Sequence, residues 1–486
     1  MRTQPLSFDA LQKTLRARPG SYMPQYDTLI VLPSLSFPAT ELAKITAIER
    51  YEERLLYLLL QLTEPDTHII YITSLPIDPI VIDYYLRFLP DPHAARRRLT
   101  LLSLGHFSGR GLACDLAADD AALGRVRTAL GDHGDHAIIL PFNVTDAERA
   151  VALELETPLF AVHPDLVALG SKTGSRRIAR AAGVPVLPGV EDLWSTTAIS
   201  DAVDALRLRH RDVDAVVVKL NNGFSGQGNA MVTWNSTLSD IADRETVFCA
   251  IEETWESYAA KIAAEGAVVE QLVSSRSASP SAQAWISPAG EVTVVSTHDQ
   301  ILGGPGGQVY LGCRFPARPA YRAAIISYAE AIGRHLADAG VVGPFAIDFS
   351  VLPSRNEVLG TSDASGIYLS EINLRLGGTT HPFGMARMVT GARVNAATGL
   401  HTDDGDRVYV SSDNLKEPGL VGVTPREVIA RVDEAGLAFD PATKAGVTLH
   451  LLGAVEQYGK LGAVCIAPYH EAAERMLSDL TMLLRR

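Results

Sequence analysis

The chain has few cysteines, and their spacing excludes two kinds of cross-linked fold. Cys114, Cys249, Cys313 and Cys465 are the only cysteines in 486 residues, and no two of them form a CxxC pair. A structural zinc site of the cysteine type and a disulfide framework both need cysteines in closer or more regular spacing. The sequence therefore predicts a fold held together by its core.

Long apolar runs and an excess of basic residues are also missing. Residues 55–60 form the longest strongly apolar stretch, far short of the roughly 18 residues of a membrane span. Residues 1–24 hold charges and prolines but no apolar segment of a secretory signal, so we expect a cytoplasmic protein without a membrane partner. Asp+Glu 56 against Lys+Arg 43 gives a net charge of -13, which argues against nucleic acid as a partner. A local basic pocket for a small anion is compatible with this balance.

Apolar residues are plentiful, and in the first third of the chain they alternate in a strand–helix rhythm. Hydrophobic residues make up 47% of the chain, which excludes disorder as its main description. At roughly 150 residues per domain, the length suggests about three domains. No GxGxxG follows the first strand, so we predict a parallel, Rossmann-like sheet without the dinucleotide fingerprint. The strand candidates are Thr28–Leu32, His68–Thr73, 99–104 and 137–140, and the helix candidates are 41–62, 78–88 and 121–130.

A glycine-rich segment joins two predicted strands in the middle of the chain. The strand Ala215–Leu220 carries Lys219, and a second strand follows at 231–234. Glycines allow successive backbone N–H groups to face one concavity, which suits phosphate oxygens. Because the segment leads into a strand and not a helix, we interpret it as a flap that closes over phosphates; a flexible hairpin with a solvated lysine is the alternative. The flap residues of interest are Gly223, Ser225, Gly226 and Gly228.

Polar side chains interrupt two later strands at 345–351 and 368–373. Asp348 lies in the first, and Glu371 and Asn373 share one face of the second because strand side chains alternate. A buried carboxylate is costly without a partner. Three oxygen ligands on neighbouring strands suit Mg²⁺. The alternative is a hydrogen-bond network at a sheet end.

Two arginines and one strand end complete the candidate site. Arg375 continues the face of Asn373, where a guanidinium would serve anionic oxygens. Arg314, which follows the glycine-rich stretch 303–307, is a second candidate, and a surface arginine is its alternative. The end of the apolar run 268–273 could offer backbone groups to an adenine edge.

Taken in order, these pieces resemble the ATP-grasp superfamily. The ordered set is a lysine at a helix start, a strand lysine with a glycine flap, a VVEQLV segment, a strand Asp and an E-x-N-x-R strand. The E-x-N-x-R form is similar to amino-acid and peptide ligases of that superfamily, and the layout resembles the pheganomycin-type peptide ligases. The specific motifs cover residues 165–400.

The resemblance implies an α/β fold with three parts. These are a Rossmann-like pre-ATP-grasp domain at 1–160, an ATP-grasp domain at 161–402 whose lid spans about 184–275, and a C-terminal α+β segment at 403–486. It also implies ATP and Mg²⁺ as cofactors, and a homodimer is plausible for the family. The implied phosphate ligands are Lys172, Lys219 and the flap; the adenine hinge is Glu270, Gln271 and Val273; the metal ligands are Asp348, Glu371 and Asn373; and Arg375 faces the transferred phosphate.

The implied reaction joins a small carboxylate to an amine or peptide through an acyl phosphate. Phosphorylation by ATP supplies the leaving group that a free carboxylate lacks. The sequence shows no convincing Ser-His-Asp or Cys-His set, and this mechanism needs no enzyme nucleophile. Two alternatives stay open: a phosphotransferase or carboxylate–thiol ligase on the same fold, and a nucleotide-binding regulator without catalysis.

Overall fold

The computed structural model describes most of the chain, and its strands form three sheets. The described residues are 7–18, 20, 23–210, 215–223, 228–233, 245–250, 252–272, 278–303, 309–352 and 366–485. Three predicted site residues, Ser225, Gly226 and Val273, lie outside them. No helix within these ranges is both long enough and apolar enough to cross a membrane.

The N-terminal part is a parallel sheet covered by helices, which confirms the predicted Rossmann-like architecture. Its strand order is β3-β2-β1-β4, and each neighbouring pair is parallel. The apolar runs of β1, β2 and β4 are buried on both faces, as expected for a sheet between helical layers, and the edge strand β3 is half-buried. The elements are α1 Phe8–Arg16, β1 Thr28–Leu32, α2 Ala39–Leu42, β2 His68–Thr73, α3 Pro79–Leu86, α4 Pro92–Arg97, β3 Leu99–Ser103, α5 Leu112–Ala117, α6 Asp120–Leu130, β4 Ala137–Pro141 and α7 Asp146–Glu154.

One helix predicted in this part, at 41–62, is wrong as a single element. The chain forms the short α2, turns at Ala47 with φ of 64°, and continues as a 3₁₀ helix, Ile48–Thr63. A positive φ cannot be accommodated inside a right-handed helix, so the helix must end there. The 3₁₀ helix buries Glu52 and Glu53, which accept hydrogen bonds from the backbone N–H groups of Ser74 and Gly453.

The next segment builds a five-stranded sheet with its own apolar core. The strand order is β5-β9-β6-β7-β8, and all neighbouring pairs are antiparallel. Two helices cover one side of the sheet, and their buried side chains form a cluster separate from the rest of the molecule. The elements are α8 Lys172–Ala181, β5 Gly189–Leu193, α9 Thr196–Arg209, β6 Ala215–Leu220, β7 Asn229–Thr233, β8 Thr246–Phe248, α10 Trp255–Glu265 and β9 Ala267–Gln271.

The remaining strands form one ten-stranded sheet. Its order is β14-β13-β10-β11-β12-β17-β16-β15, with β19 paired to both β17 and β18. Strands beyond residue 403 therefore extend the central sheet, and the division into three domains stays a prediction. The elements are β10 Pro280–Ile286, β11 Val292–Gly303, β12 Val309–Phe315, α11 Pro319–Asp338, β13 Gly343–Val351, β14 Ile367–Asn373, α12 Thr380–Thr390, β15 Arg393–Asn395, β16 Gly399–Thr402, β17 Gly405–Lys416, α13 Pro425–Glu434, β18 Gly446–His450, α14 Val455–Tyr458, β19 Lys460–Ala467 and α15 His470–Leu484.

Candidate functional site

A cleft of about 410 Å³ runs between the five-stranded and ten-stranded sheets. Both sheets and the N-terminal part contribute side chains to its wall. Most of the residues predicted from the sequence meet here, although they are spread over more than 200 positions of the chain. The predicted residues that line it are Lys172, Lys219, Gly223, Glu270, Gln271, Asp348, Glu371, Asn373 and Arg375.

The two carboxylates face each other across neighbouring strands. Asp348 on β13 is the register partner of Glu371 on β14, and the register shifts directly after Asp348. The Asn373 amide nitrogen donates to both, at 3.2 Å to Asp348 and 2.9 Å to Glu371. Gln300 donates to the second Asp348 oxygen at 2.5 Å. The backbone irregularity thus lies where the acidic pair is presented to the cleft, a common use of a β-bulge.

The acidic pair carries opposite pKa shifts. Burial and the adjacent Glu371 raise the pKa of Asp348 well above its usual range. Burial also opposes ionisation of Glu371, but the Lys172 ammonium outweighs it and lowers the pKa of Glu371 to about 2. The Lys172 ammonium thus favours the charged form of Glu371, while burial and Glu371 disfavour the charged form of Asp348.

This cluster fits Mg²⁺. Two carboxylates and one amide converge from two strands, and each can offer an oxygen to a hard divalent cation. Among the described residues, Lys172 is the one cation within ion-pair distance of the two carboxylates. A bound cation would remove the repulsion between Asp348 and Glu371 and allow both to ionise.

Lys172 joins the start of the flap to the acidic pair. Ser171 caps the N-terminus of α8, which places Lys172 in the first turn beneath the cleft. Its ammonium donates to a Glu371 oxygen and to the backbone carbonyl of Gly223 at 3.0 Å. Gly223 and Gly228 approach each other so closely that a Cβ on either would lie within 3.0 Å of the other's Cα. Both glycines are therefore needed for the narrow base of the flap.

Lys219 is the end of a buried chain of charges. Its ammonium lies 2.5 Å from Glu270, whose other oxygen accepts from Arg176 at 2.6 Å. Arg176 is only 1% exposed and also pairs with Glu191. The sequence did not single out Arg176, because a helix rich in basic residues is typical of a solvent-exposed helix. Its position four residues after Lys172 could have identified it, since residues four apart lie on the same helix face. The Glu270 carboxylate pairs with Arg176 and Lys219, while Gln271 and Leu272 lie at the end of β9 that lines the cleft.

The two predicted arginines have different surroundings. Arg375 lines the cleft next to the acidic pair, with its guanidinium over the rings of Phe37 and Phe142 at 5.6 and 6.0 Å. Arg314 does not belong to the cleft. Its Nε donates to Glu474 at 2.7 Å, and the side chain is 43% exposed. The alternative interpretation of Arg314 as a surface arginine is the one that the geometry supports.

Sequence reasoning also missed one end of the cleft. Tyr51 and Arg54 reach it from the 3₁₀ helix, Asp413 from β17 and Lys460 from β19. These residues are up to 409 positions apart in the chain, and no local motif connects them.

Family models match two parts of the chain. An IQCH-like ATP-grasp model matches residues 164–244 and 236–396, and a model described as the PGM1 C-terminal domain matches residues 427–480. The first match contains the flap and the acidic pair. The second contains Lys460.

Two known proteins are similar in sequence. An L-propargylglycine–L-glutamate ligase of Streptantibioticus cattleyicolor is 30% identical over 465 residues, which cover 92% of each chain. The IQ motif-containing protein H of Danio rerio is 23% identical over 378 residues, which cover 66% of this chain and 35% of that protein.

Solved structures share the fold at low sequence identity. The biotin carboxylase of Campylobacter jejuni matches with a TM-score of 0.57 at 13% identity, covering 95% of this chain and 94% of that chain. The N5-carboxyaminoimidazole ribonucleotide synthetase of Thermus thermophilus matches with a TM-score of 0.52 at 16% identity, covering 94% of this chain and 99% of that chain. Together with the ligase similar over nearly the whole length, the order of motifs and their convergence in one cleft identify this chain as a member of the ATP-grasp superfamily of carboxylate–amine ligases.

Proposed function

We propose that the chain uses ATP to activate an amino-acid-like carboxylate as an acyl phosphate and joins it to the amine of an amino acid or peptide. The observation that carries the proposal is the acidic pair Asp348 and Glu371, which lies between Lys172 and Arg375 in one cleft. The similar ligase from Streptantibioticus cattleyicolor, named for two amino acids, supports this substrate class.

The first step breaks one P–O bond of ATP. A carboxylate oxygen attacks the γ-phosphorus, and ADP departs with the electrons of the broken bond. Lys219 and Lys172 hold the phosphates, and Arg375 orients the incoming carboxylate against the γ-phosphate. Mg²⁺ held by Asp348, Glu371 and Asn373 would offset negative charge on the phosphates.

The second step forms the amide. The neutral amine attacks the acyl carbon, the bond to the phosphate oxygen breaks, and inorganic phosphate departs while the nitrogen loses a proton. Water competes with the amine for the same acyl phosphate, so a closed cleft favours ligation over hydrolysis.

The test is to identify all products of one reaction. We expect the purified chain, supplied with ATP, Mg²⁺ and a pool of amino acids and short peptides, to form ADP, phosphate and an amide in equal amounts. A phosphorylated acid without an amide would favour a phosphotransferase, a thioester a carboxylate–thiol ligase, and AMP would contradict the acyl phosphate. ATP binding without turnover across the pool would favour a regulator.

A homodimer is a further proposal, which rests on the family alone. Sedimentation velocity of the purified chain, with and without MgADP, would test it.

A further inference from the structure

Two cations at one end of the cleft have no part in the proposed phosphate chemistry. Arg54 belongs to the 3₁₀ helix, and Lys460 is the first residue of β19. Both line the cleft that also holds the phosphate-binding lysines. In the proposed function, Lys172, Lys219 and Arg375 bind the phosphates of ATP and the transferred phosphoryl group. Arg54 and Lys460 are therefore available to bind another anion.

Lys460 is a buried ammonium whose described neighbours do not neutralise it. Lys460 is only 5% exposed, and its Nζ donates a hydrogen bond to the Tyr51 hydroxyl at 2.7 Å. The same Nζ lies 5.0 Å from the centroid of the Tyr51 ring. Among the described residues, no carboxylate lies within ion-pair distance of Lys460. A hydroxyl and a ring offset only part of the cost of burying a charge, so the site favours an added anion.

Arg54 is partly neutralised by a single carboxylate and has a buried N–H without a described partner. Its Nη2 pairs with the buried Asp413, and its guanidinium lies 4.1 Å from the Tyr51 ring centroid. Its Nε is buried and has no hydrogen-bond partner in the part of the chain that the structure describes. We call Tyr51, Arg54, Asp413 and Lys460 the far pocket. It carries two positive charges and one negative charge, so a single added carboxylate would balance it.

The far pocket is close enough to the reacting groups to hold the same small molecule. Arg54, Lys460 and Arg375 all line the same cleft of about 410 Å³. The far pocket and the arginine assigned to the transferred phosphate therefore face one space. A substrate whose reacting atom is at Arg375 would extend toward Arg54 and Lys460.

We propose that the far pocket binds a carboxylate of the amine-bearing substrate, which is therefore an amino acid or a peptide with a free carboxylate. This inference rests on the proposed ligase function and adds the chemistry by which one substrate is recognised. The acid substrate needs only the carboxylate that is consumed at Arg375. The amine substrate arrives as an ammonium, which Arg375 and Arg54 repel unless it also carries a negative group.

The same contact would position the nucleophile. A substrate held by its carboxylate in the far pocket keeps its amine within the cleft that Arg375 also lines. The attacking species is the neutral amine, so the far pocket would contribute to binding and to orientation.

The experiment compares amino acids with their amides on the full chain saturated with MgADP. Binding of the common L-amino acids and of their α-carboxamides is measured by titration, with L-glutamine and L-isoglutamine compared against L-glutamate. We expect at least one amino acid to bind about tenfold more tightly than the matching amide. The glutamate series shows whether the far pocket binds the α-carboxylate or the side-chain carboxylate.

Two variants assign this preference to the far pocket. Lys460→Met keeps the length of the side chain and should remove most of the preference, whereas Lys13→Met, on an exposed face of α1, should retain it. In turnover, Lys460→Met should raise KM for the amine about tenfold with little change in KM for the acid. If Lys460→Met folds poorly, Lys460→Arg should fold and retain the preference.

Three outcomes would overturn the inference. These are equal binding of acids and amides across the panel, an unchanged preference in Lys460→Met, or a raised KM for the acid alone. Failure of the ligase function is a separate result: the binding preference would persist while no amide and no ADP are formed.

Discussion

Lys219 reaches the cleft as the outermost charge of a buried series. Because Glu270 retains its contact with Arg176, Lys219→Met leaves no carboxylate unpaired, and we expect the melting temperature of the ligand-free protein to change little. Loss of the ammonium would remove the proposed charge-assisted contact with phosphate, so KM for ATP should rise about tenfold or more. Steady-state kinetics and thermal melts test both statements, with Lys13→Met as the control. Near-normal turnover of a folded Lys219→Met protein would contradict the role of the flap lysine.

Arg176 should behave differently from Lys219, because it positions charges and does not itself reach the cleft. Arg176→Met leaves Glu270 with Lys219 alone and deprives Glu191 of one of its two cations. Lys219→Met breaks one ion pair, whereas Arg176 is 1% exposed and its loss breaks two buried pairs at once, so we expect a cost of about 3 kcal/mol of unfolding free energy. The adjacent Arg177 is 63% exposed, so Arg177→Met should cost less than about 1 kcal/mol.

Urea unfolding of both variants measures this difference. A positioning role for Arg176 further requires KM for ATP to rise in the folded fraction of Arg176→Met, since Glu270 would no longer hold Lys219 in place. Equal stability of the two variants would show that the buried charges do not depend on Arg176.

At the level of single residues, the sequence identified side chains that break a local pattern. Asp348, Glu371 and Asn373 stand out because carboxylates and amides are unexpected in apolar strands, and they do meet in the cleft. Arg314 breaks a pattern equally well, but its partner Glu474 lies 160 residues later. Nothing local distinguishes an arginine that faces the cleft from one that faces a distant helix.

At the level of elements, the pairing of β13 with β14 predicts non-additive effects. Glu371→Gln removes a charge from the proposed metal ligands, and Asn373→Ala removes the amide shared by both carboxylates. Each should abolish Mg²⁺-dependent phosphate release, and the double variant should be scarcely worse than either single one.

Melting of the ligand-free variants separates this role from a structural one. Glu371→Gln weakens the contact with Lys172 but also removes the repulsion of Asp348, so the two effects on stability oppose each other. We expect little change in melting temperature. A large loss of melting temperature with preserved turnover per folded molecule would show that the strand pair carries structure only.

The 3₁₀ helix gives the molecule a pH-dependent element. Burial raises the pKa of Glu53 from its usual 4.5 to about 7, although the Gly453 N–H favours the ionised form. A folded-state pKa above the unfolded value stabilises the protein at low pH, and this contribution is lost as pH rises through about 7. The difference between the two pKa values corresponds to a loss on the order of 3 kcal/mol of unfolding free energy.

We therefore expect Glu53→Gln to weaken the decline of melting temperature between about pH 5 and pH 8. The neutral amide can still accept the Gly453 hydrogen bond. Parallel pH profiles of the variant and the parent chain would contradict the assignment. Glu49→Gln, on the same helix, is the control, because its side chain contacts the Tyr458 hydroxyl at the partly exposed surface.

The same element shows why boundaries were harder to predict than sheets. The strands of the N-terminal sheet follow from short β-rich runs between turn residues, and the structure confirms Thr28–Leu32 and His68–Thr73. The periodicity of 41–62 gave no sign of the break at Ala47, because alanine is an excellent helix former. The 3₁₀ helix after the break buries the carboxylates of Glu52 and Glu53. These accept hydrogen bonds from Ser74 and Gly453, which lie in other parts of the sequence.

At the level of the whole molecule, four charges connect the N-terminal part to the five-stranded sheet. Lys261 of α10 pairs with Glu253, which precedes that helix, and also contacts Glu41 of α2 at 3.2 Å. Lys44 lies 3.0 Å from Glu41 and 3.9 Å from Glu253. We call this group the latch. Lys44 also lines the cleft, so the latch holds the two bodies together beside the site of reaction.

Loosening the latch should admit water to the acyl phosphate. We expect Lys261→Glu to raise the ratio of phosphate released to amide formed, because hydrolysis competes with ligation in an open cleft. The double variant Glu41→Lys/Lys261→Glu restores an opposite-charge contact and should recover part of the coupling. Measuring both products in the same reaction decides the matter. An unchanged ratio in Lys261→Glu would mean that the latch does not control access of water.

The position of β19 between β17 and β18 has a consequence for the growing chain on the ribosome. β17 is complete at residue 416, but the strand that covers its edge begins only at residue 460. At about 5–20 residues per second, the ribosome takes several seconds to supply it. During this interval the nascent chain carries an uncovered strand edge, the kind of surface that pairs with neighbouring chains on a polysome. Chains released early would keep that edge, and they would also lack Lys460.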